Sequence, residues 1–505
     1  MLIELLLSIS IVFLVYQRWV KRDVYTLGKQ LNSGIWTLPF IGHSYLFFGD
    51  NESRMKAFQT FGRDAISKEN GLTLLWHGNY LYTIVADPEA AELVLKCCLE
   101  KDDIMKMATL YVGNGSIFAP VPIWRPRRKV LVPSFSMKYL KHFMSIFVKE
   151  SNVMVDRMKN ITGTGPISAF KYFTAYTMDA ITESTLGYKM GAQEGRNQNF
   201  LRAFDEGLAE DAKRLCQPWL HSDLIYNNLP IYARLLKNKD YLWDFVKEVI
   251  RTKRKEMTEK TDTEEHIENS SKENLQTFLE SLIKLSGGDE GYTEIEIVEE
   301  LMVIMIAGND TSAVGASFIS VLLSRHPEVQ EKIYEELQQV FADSERLITF
   351  EDLPRLKYLD AVIRETLRLY PPVPVIVRKV EKDVVLPCGI KLVPGTGVLV
   401  NIWALHRNLR YWGEDAEVFR PERFLDTPLT HPAAFMPFSH GPRNCVGYQY
   451  AMMSMKTVLS TVLRRYRILP ATTPNSNSEH PPLRLKYDLM MKDEDDFQIK
   501  LEFRR

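Results

Sequence analysis

The spacing of apolar residues along the chain predicts a helix-rich protein. From about residue 133 to residue 255, apolar side chains recur mostly at helical intervals, with interruptions at two prolines. A long apolar helix is predicted over 292–325, where the sequence RHPE ends it, and another over 329–343. Between the helical region that ends at about residue 255 and the helix over 292–325, the stretch 257–276 is polar and poor in apolar residues, which predicts an exposed loop.

Short runs with strand character lie outside these helical stretches. The sequence LTLLWHGNYLYTIVAD predicts a hairpin that turns at Gly78 and Asn79, followed by a helix that begins at Asp87. Residues 375–402 are typical of several short strands, and the C-terminal segments LRLKYDLMM and DDFQIKLEF predict a β-ribbon. The chain is therefore predicted to be mainly α with small β-sheets.

The N-terminal run 2–16 is apolar apart from Glu4, Ser8 and Ser10, and basic residues follow it. It is shorter than the ~20 residues of an untilted membrane span, but its flanking charges favour a membrane anchor with the rest of the chain on the cytosolic side. A cleaved signal peptide and a buried N-terminal helix are the alternatives. No small-x-small cleavage site follows the run, which disfavours the signal peptide.

Composition and charge narrow the class of protein. The chain has 505 residues, a net charge of −1 and 45% hydrophobic residues, which is typical of a globular chain. A near-neutral charge without a concentrated basic surface argues against nucleic-acid binding. The five cysteines lie in no CxxC or Cys/His zinc pattern and form no even set, which fits a reducing compartment.

One cysteine lies in a pattern that favours a thiolate at the start of a helix. In FSHGPRNCVG, residues 438–447, Cys445 precedes a predicted apolar-faced helix, where the helix dipole and free N–H groups stabilise a thiolate. Gly441 and Gly447 permit tight turns and close approach to a flat ligand, and Arg443 could pair with a carboxylate on that ligand. The alternative for a lone cysteine is an inert, buried side chain.

The whole stretch resembles the Phe-x-x-Gly-x-Arg-x-Cys-x-Gly haem-binding signature of the cytochrome P450 family and matches each specified position. The resemblance implies that Cys445 is the thiolate ligand of the haem iron, that Arg443 holds a propionate and that Phe438 shields the sulfur. Gly447 would approach the cofactor closely. A thiolate axial ligand donates electron density to the iron and favours O–O cleavage.

Other motifs extend the resemblance over essentially the whole chain. ETLR and PERF supply the family's structural Glu-Arg-Arg triad, which would be Glu365, Arg368 and Arg423. AGNDTS in the long helix is similar to the oxygen-activation motif, so Thr311 would hydrogen-bond oxygen at the iron and Asp310 would assist proton delivery. Neighbouring Ala307 and Gly308 would leave room for a flat cofactor and a diatomic ligand.

Further propionate ligands follow from the same resemblance. WRPRR places Trp124 and Arg128 at the family's Trp-x-x-x-Arg spacing, which fits only if Pro126 lies in the first helical turn. Arg378 matches another propionate-binding position. The remaining basic residues of this segment, Arg125, Arg127 and Lys129, are predicted to be solvated, and this basic surface is a candidate dock for a reductase.

The chain looks most like a microsomal member near the family-four clan found in insects. Many family-four fatty-acid hydroxylases carry, at the position of Ala307, a glutamate that can become esterified to the haem. With alanine there, the resemblance implies haem b held non-covalently apart from the Cys445–iron bond, and it puts an ω-hydroxylase assignment in doubt. The predicted organisation is an anchor over 1–20, a proline hinge over 21–45 and one haem-binding domain over 46–505.

The resulting hypothesis is a monooxygenase in the endoplasmic reticulum membrane, with its catalytic domain in the cytosol. It would insert one oxygen atom from O2 into a lipophilic substrate, with electrons from NADPH through cytochrome P450 reductase and cytochrome b5 as a further partner. A haem-thiolate isomerase or dehydratase that acts on a peroxide, and a non-catalytic haem sensor, are the alternatives. Candidate pocket segments are 105–119, 200–230, Ala307, 373–377 and 489–490.

Overall fold

The computed structural model describes residues 4, 16, 18–264, 275–287, 291–342, 344–426, 428–472 and 481–504. The predicted anchor lies outside the described residues except at Glu4, Tyr16 and 18–20. The described residues form two compact units. Unit 1 comprises those up to Asp103 together with Val375–Glu417 and Leu429–Asn444. Unit 2 comprises those within Ile104–Pro374, Val418–Pro428 and Cys445–Arg505.

The described α-helices, in chain order, are α1 (Arg22–Leu31), α2 (Asn51–Ile66), α3 (Pro88–Cys97), α4 (Val121–Leu131), α5 (Met137–Lys159), α6 (Ala169–Ile181), α7 (Gln198–Cys216), α8 (Asp223–Tyr226), α9 (Pro230–Glu264), α10 (Phe278–Lys284), α11 (Glu294–Arg325), α12 (Pro327–Phe341), α13 (Lys357–Leu369), α14 (Ile402–Leu405), α15 (Leu409–Trp412), α16 (Arg423–Asp426) and α17 (Tyr448–Arg465). The described strands are β1 (Leu72–His77), β2 (Tyr80–Val85), β3 (Ile167–Ser168), β4 (Val375–Lys379), β5 (Val384–Val385), β6 (Lys391–Leu392), β7 (Gly397–Asn401), β8 (Tyr466–Pro470), β9 (Leu485–Asp488), β10 (Met490–Asp493) and β11 (Gln498–Phe503). The chain is mostly helical with small sheets, as predicted.

Unit 1 is built on a four-stranded sheet in the order β1-β2-β7-β4. The predicted hairpin is confirmed, because β1 and β2 pair antiparallel from Leu72 opposite Val85 to His77 opposite Tyr80, and Gly78 at the turn has φ +60°. The helix predicted to begin at Asp87 is also confirmed, since the Asp87 carboxylate accepts a hydrogen bond from the Ala90 N–H and caps α3. Buried apolar residues of α1, α3 and the strands form the core of this unit.

Unit 2 is organised around α11, which confirms the long helix predicted over 292–325. A capping box starts it: the Glu296 N–H donates to Thr293 Oγ1, and the Thr293 N–H donates to the Glu296 carboxylate. Proline at the first position of α12 explains where α11 ends, because the residue before a proline avoids helical geometry. In the part of the chain that the structure describes, α11 is the one helix long and apolar enough to cross a membrane, but 83% of its most apolar window is buried.

The loop predicted over 257–276 is wrong for its first residues, because α9 continues to Glu264. Lys255 and Glu259 lie 3.8 Å apart at i,i+4 spacing, and such pairs stabilise a solvated helix without an apolar face. Residues 265–274 lie outside the described residues. Both predicted C-terminal segments contain strands, but they lie in two sheets: β9 pairs with β10, and β11 pairs with β8 and β3.

Candidate active site

In unit 2, Cys445 lies two residues before the N-cap of α17, which is Gly447. The Gly447 N–H donates a hydrogen bond to Cys445 Sγ, so the start of the helix directs a donor at the sulfur. A Cβ at Gly447 would lie 4.0 Å from Sγ and 3.9 Å from Phe135, which is ordinary contact, and the backbone φ is −89°. Neither conformation nor the described protein neighbours require glycine at this position. That Gly447 allows close approach of a flat ligand therefore stays a prediction.

The electrostatics at Cys445 have two opposing parts. Burial of the sulfur raises the pKa of the thiol, while the Gly447 N–H and the positive charge of Arg128 lower it. Cys445 is nevertheless an exposed residue, so a ligand can reach it. A thiol in such a position ionises when a metal cation takes the place of its proton.

In unit 1, the loop that leads to the cysteine packs closely against other parts of the same unit. Gly441 has φ +73°, and a Cβ there would lie 2.6 Å from the Leu95 carbonyl oxygen, so glycine is required at this position. The Met436 N–H donates to His406 Nε2 at 3.0 Å. Phe438 is half-buried in the same unit.

Unit 1 also contains a buried cluster of three cations. Arg378 is 1% exposed and Arg443 is 9% exposed, and burial followed by repulsion from Arg443 lowers the pKa of Arg378 to about 10. Lys101 is half-buried as a residue, and burial of its ammonium group holds its pKa well below its usual range, with a further lowering by both arginines. Arg378 Nη1 donates to the Val377 carbonyl oxygen, whereas its buried Nε donates to no described group.

Mutually repelling buried cations are costly unless an anion accompanies them. The cluster fits a ligand that carries carboxylates, such as the propionates of haem, and so the residues present are compatible with that cofactor. Sequence reasoning identified Arg378 and Arg443 but missed Lys101. No motif marks Lys101, and its charge matters only because the fold brings it to the two arginines.

The helix α4 of unit 2 carries the predicted pair Trp124 and Arg128 on one face, because the two residues lie four apart. Trp124 is 5% exposed and Arg128 is half-buried. Burial lowers the pKa of Arg128, and the nearby Cys445 opposes that shift. The structure thus brings Arg128 into electrostatic reach of the candidate thiolate.

Two expectations for the segment WRPRR are wrong. Pro126 lies inside α4 and not in its first turn, so the helix forgoes one backbone hydrogen bond in its interior. Arg127 is 6% exposed and not solvated: it contacts Glu296, Glu299 and Glu300 of α11 at 2.9, 3.3 and 3.1 Å. A buried charge on α4 is retained here because three carboxylates compensate it.

The exposure pattern of α11 singles out a small patch. Across 297–324, Ala307, Gly308 and Thr311 are partly exposed and every other residue is buried. Ala307 and Thr311 lie four residues apart and so share one helical face. The Thr311 hydroxyl donates to the Ala307 carbonyl oxygen at 2.6 Å. This face of an otherwise enclosed helix can therefore meet small ligands.

The structure gives Gly308 a packing role that the sequence did not indicate. A Cβ at Gly308 would lie 2.6 Å from Ile181 Cγ1 on α6, so the missing side chain permits close packing of two helices. Thr177 of α6 and Asn309 of α11 hydrogen-bond at 2.7 Å beside this contact. Ala307 keeps its place on the accessible face.

Asp310 is fully buried beside Thr311. Its Oδ1 lies 3.0 Å from the Lys492 ammonium, which is 8% exposed on β10. Neither carboxylate oxygen has a hydrogen bond of good geometry from a described residue, so the contact with Lys492 is ionic. Asp310 therefore keeps acceptor capacity that its surroundings do not use.

The predicted triad assembles within unit 2. Arg368 Nε and Nη2 donate to the two oxygens of Glu365 at 2.7 and 2.8 Å, and both side chains are fully buried. Arg423 Nε lies 3.5 Å from the same carboxylate, and the Arg420 N–H donates to it at 2.9 Å. The three-residue spacing in ETLR places Glu365 and Arg368 on one face of α13, but only the family resemblance indicated that the pair is a buried part of a triad.

Comparison with known proteins agrees with these observations. A family model described as "Cytochrome P450" matches residues 38–498. The chain is 32% identical to "Cytochrome P450 4V2" of Homo sapiens over 92% of this chain and 88% of that protein. It is 31% identical to "Cytochrome P450 4d2" of Drosophila melanogaster over 88% of this chain and 89% of that protein. The candidate thiolate, the buried triad and these similarities lead to one conclusion: the chain belongs to the cytochrome P450 family and is a haem-dependent P450 monooxygenase.

Proposed function

We propose that this monooxygenase uses electrons from NADPH, delivered by cytochrome P450 reductase with cytochrome b5 as a further donor, to oxidise a lipophilic substrate. It would act at the endoplasmic reticulum membrane, where an anchor over residues 1–20 would hold the protein. The observation that carries the proposal is the accessible face of Ala307 and Thr311 on an otherwise buried apolar helix. A face of this kind can admit O2 and an apolar substrate.

The residue roles in this proposal follow from the family assignment. Haem b, held non-covalently except at its iron, would supply oxygen activation. Cys445 would ligate the iron, and the charges of Arg128, Arg378 and Arg443 would bind propionates.

On the substrate side, Thr311 would orient oxygen with its hydroxyl, and Asp310 would deliver protons.

Other residues would act elsewhere around the cofactor. Trp124 would hydrogen-bond a propionate, and Phe438 would limit water at the sulfur. Glu365, Arg368 and Arg423 would brace the fold without touching the substrate.

A labelled-oxygen experiment tests the function. Purified holoprotein with reductase, NADPH and 18O2 is incubated with a medium-chain fatty acid, a terpenoid alcohol and an aromatic xenobiotic in parallel. We expect a product with one 18O atom from at least one substrate, dependent on both NADPH and reductase. Product from a lipid hydroperoxide without NADPH would favour the isomerase alternative, and haem binding without turnover of any substrate would favour the sensor.

The location is tested separately. A variant that starts at residue 21 is compared with the full chain in a membrane fractionation. We expect the full chain in the microsomal pellet and the shortened chain with a larger share in the supernatant. Equal distribution of the two would contradict the anchor.

A further inference from the structure

A line of three charged side chains leads from Asp310 to the protein surface. Lys492 on β10 lies 3.0 Å from Asp310 Oδ1 and 3.6 Å from Asp205 Oδ1 on α7. The side chains of Asp310, Lys492 and Asp205 are 1%, 8% and 44% exposed. Exposure therefore increases stepwise from the buried Asp310 on α11 to solvent.

The position of Lys492 is fixed by its surroundings. Its ammonium group lies 4.6 Å from the centre of the Phe170 ring on α6, and such a contact stabilises a desolvated cation. The β9–β10 hairpin turns at Leu489, which has φ +64°, and carries Lys492 on its second strand. Side chains from α11, α7 and α6 thus surround one buried ammonium group.

The charges of the line influence one another. The carboxylates of Asp310, Asp205 and Asp488 raise the pKa of Lys492 against the effect of burial, which keeps it an ammonium ion. Burial raises the pKa of Asp205 to about 6, Lys492 opposes this shift, and Asp310 and Asp488 add to it. Asp205 therefore exchanges protons with solvent in the physiological pH range.

We propose that Lys492 and Asp205 form a proton route that supplies Asp310 from solvent during oxygen activation. The route rests on the proposed role of Asp310. In one transfer, the Asp205 carboxyl gives its proton to Lys492, and Lys492 gives a different proton to Asp310. The lysine ends as an ammonium ion, Asp310 gains an O–H bond, and Asp205 recovers its proton from water. The 3.6 Å gap at Asp205 is closed by side-chain rotation or a bridging water.

In this account Lys492 and Asp205 are positioning residues, because neither belongs to the face that meets oxygen. A purely structural role would only neutralise the buried Asp310 charge. Such a role would require Lys492 alone, and Asp205 would then be dispensable for proton supply. Asp205 therefore distinguishes the two possibilities.

The test uses holoprotein with excess reductase, NADPH and O2, and it measures the NADPH oxidation rate and its solvent deuterium isotope effect from pH 5.5 to 8. We expect Lys492→Met to slow oxidation by about tenfold, less than the ~10²-fold typical for loss of an acid–base group itself. Lys492→Arg keeps the charge, but a guanidinium does not release a proton in proteins, so its rate should stay as low as that of Lys492→Met; recovery of the wild-type rate would show that only the charge of residue 492 matters. Asp205→Asn should raise the isotope effect and remove the pH dependence centred near 6.

The matched control is Lys486→Met, because Lys486 is the register partner of Lys492 and contacts Glu494 instead. A readout independent of turnover is pH-difference infrared spectroscopy of the resting protein. It should show a carboxyl band that titrates near pH 6 and disappears in Asp205→Asn.

Asp310→Asn separates this inference from the function on which it rests. If Asp310→Asn slows oxidation while Lys492→Met and Asp205→Asn behave like the control, the route is wrong and Asp310 keeps its role. If Asp310→Asn also behaves like the control, the role of Asp310 in proton delivery is wrong as well. Should Lys492→Met fail to fold, Asp205→Asn and Lys492→Arg still decide the question.

Discussion

Unit 2 contains two carboxylates that are equally buried but very differently bound. Glu365 receives two hydrogen bonds from Arg368 and one from the Arg420 N–H, with Arg423 close by. Asp310 has one ionic contact, to Lys492. A carboxylate whose oxygens are fully used stabilises a fixed geometry, whereas one with unused acceptor capacity can accept a further hydrogen bond. The comparison separates a structural site from a chemical one.

The largest effect is expected when the structural carboxylate is removed. Glu365→Ala leaves the fully buried Arg368 without its charge partner, and the loss of one member of a buried pair costs about 3–5 kcal/mol in free energy of unfolding. Chemical denaturation of the holoprotein measures this loss in free energy of unfolding. Glu365→Gln keeps hydrogen-bonding oxygen and should be intermediate.

The control for that variant is a surface pair in the same unit. Arg484 and Asp495 lie 3.1 Å apart and are 54% and 61% exposed, so Asp495→Ala should cost at most about 1 kcal/mol. Equal losses in Glu365→Ala and Asp495→Ala would contradict a structural role for Glu365.

A change beside the chemical carboxylate should affect turnover and leave stability nearly unchanged. Thr311→Ala removes one hydroxyl that bonds within α11, a net loss of about 1 kcal/mol. The same change removes the group expected to orient oxygen. We expect product per NADPH to fall by about tenfold and hydrogen peroxide to rise, with Thr311→Ser restoring the wild-type ratio.

Ser317→Ala is the matched control for Thr311, because the buried Ser317 hydroxyl makes the same bond to the carbonyl oxygen four residues earlier, at 2.6 Å. Peroxide release in Ser317→Ala should equal that of wild type. If both variants release the same amount, Thr311 has no special part in the reaction.

A third carboxyl, Asp211, which is 8% exposed on α7, should affect the pH dependence of stability and leave turnover unchanged. Burial raises its pKa to about 8, with Arg214 opposing and Glu210 adding to the shift. The folded state therefore binds this proton between about pH 4 and pH 8 while the unfolded state releases it. This contribution to stability is complete below about pH 4 and is lost as the pH rises through about 8.

Asp211→Asn removes that dependence. Its melting temperature should fall less than that of wild type between pH 5 and pH 8, as measured by differential scanning fluorimetry. Parallel pH curves for the two proteins would show that Asp211 is ionised in the folded state, and burial with one nearby arginine would then suffice to keep a carboxylate charged.

Sequence reasoning succeeded where chemistry is encoded by short spacing. Glu365 and Arg368 lie within one turn of α13, and the hairpin of β1 and β2 closes over Gly78. The helix predicted to follow the cysteine stretch 438–447 is α17. In each case, neighbouring residues determine the geometry.

Sequence reasoning failed where the interacting residues are distant along the chain. Arg127 was predicted to be solvated, yet Glu299, 172 positions away, lies against it. Lys101 and Lys492 gain their meaning only after folding brings them to Arg378 and Asp310. Composition also misassigned the end of α9, since charged residues with i,i+4 partners form a helix as readily as a loop.

The central claim is that Cys445 binds the haem iron as a thiolate. The most direct measurement is the reduced, carbon-monoxide-bound difference spectrum of the holoprotein, with Cys445→Ser and Thr311→Ala recorded beside it. We predict a strongly red-shifted Soret band in wild type and Thr311→Ala, and its loss in Cys445→Ser. A folded, haem-loaded wild-type protein without that band, or a Cys445→Ser protein that retains it, would contradict the assignment.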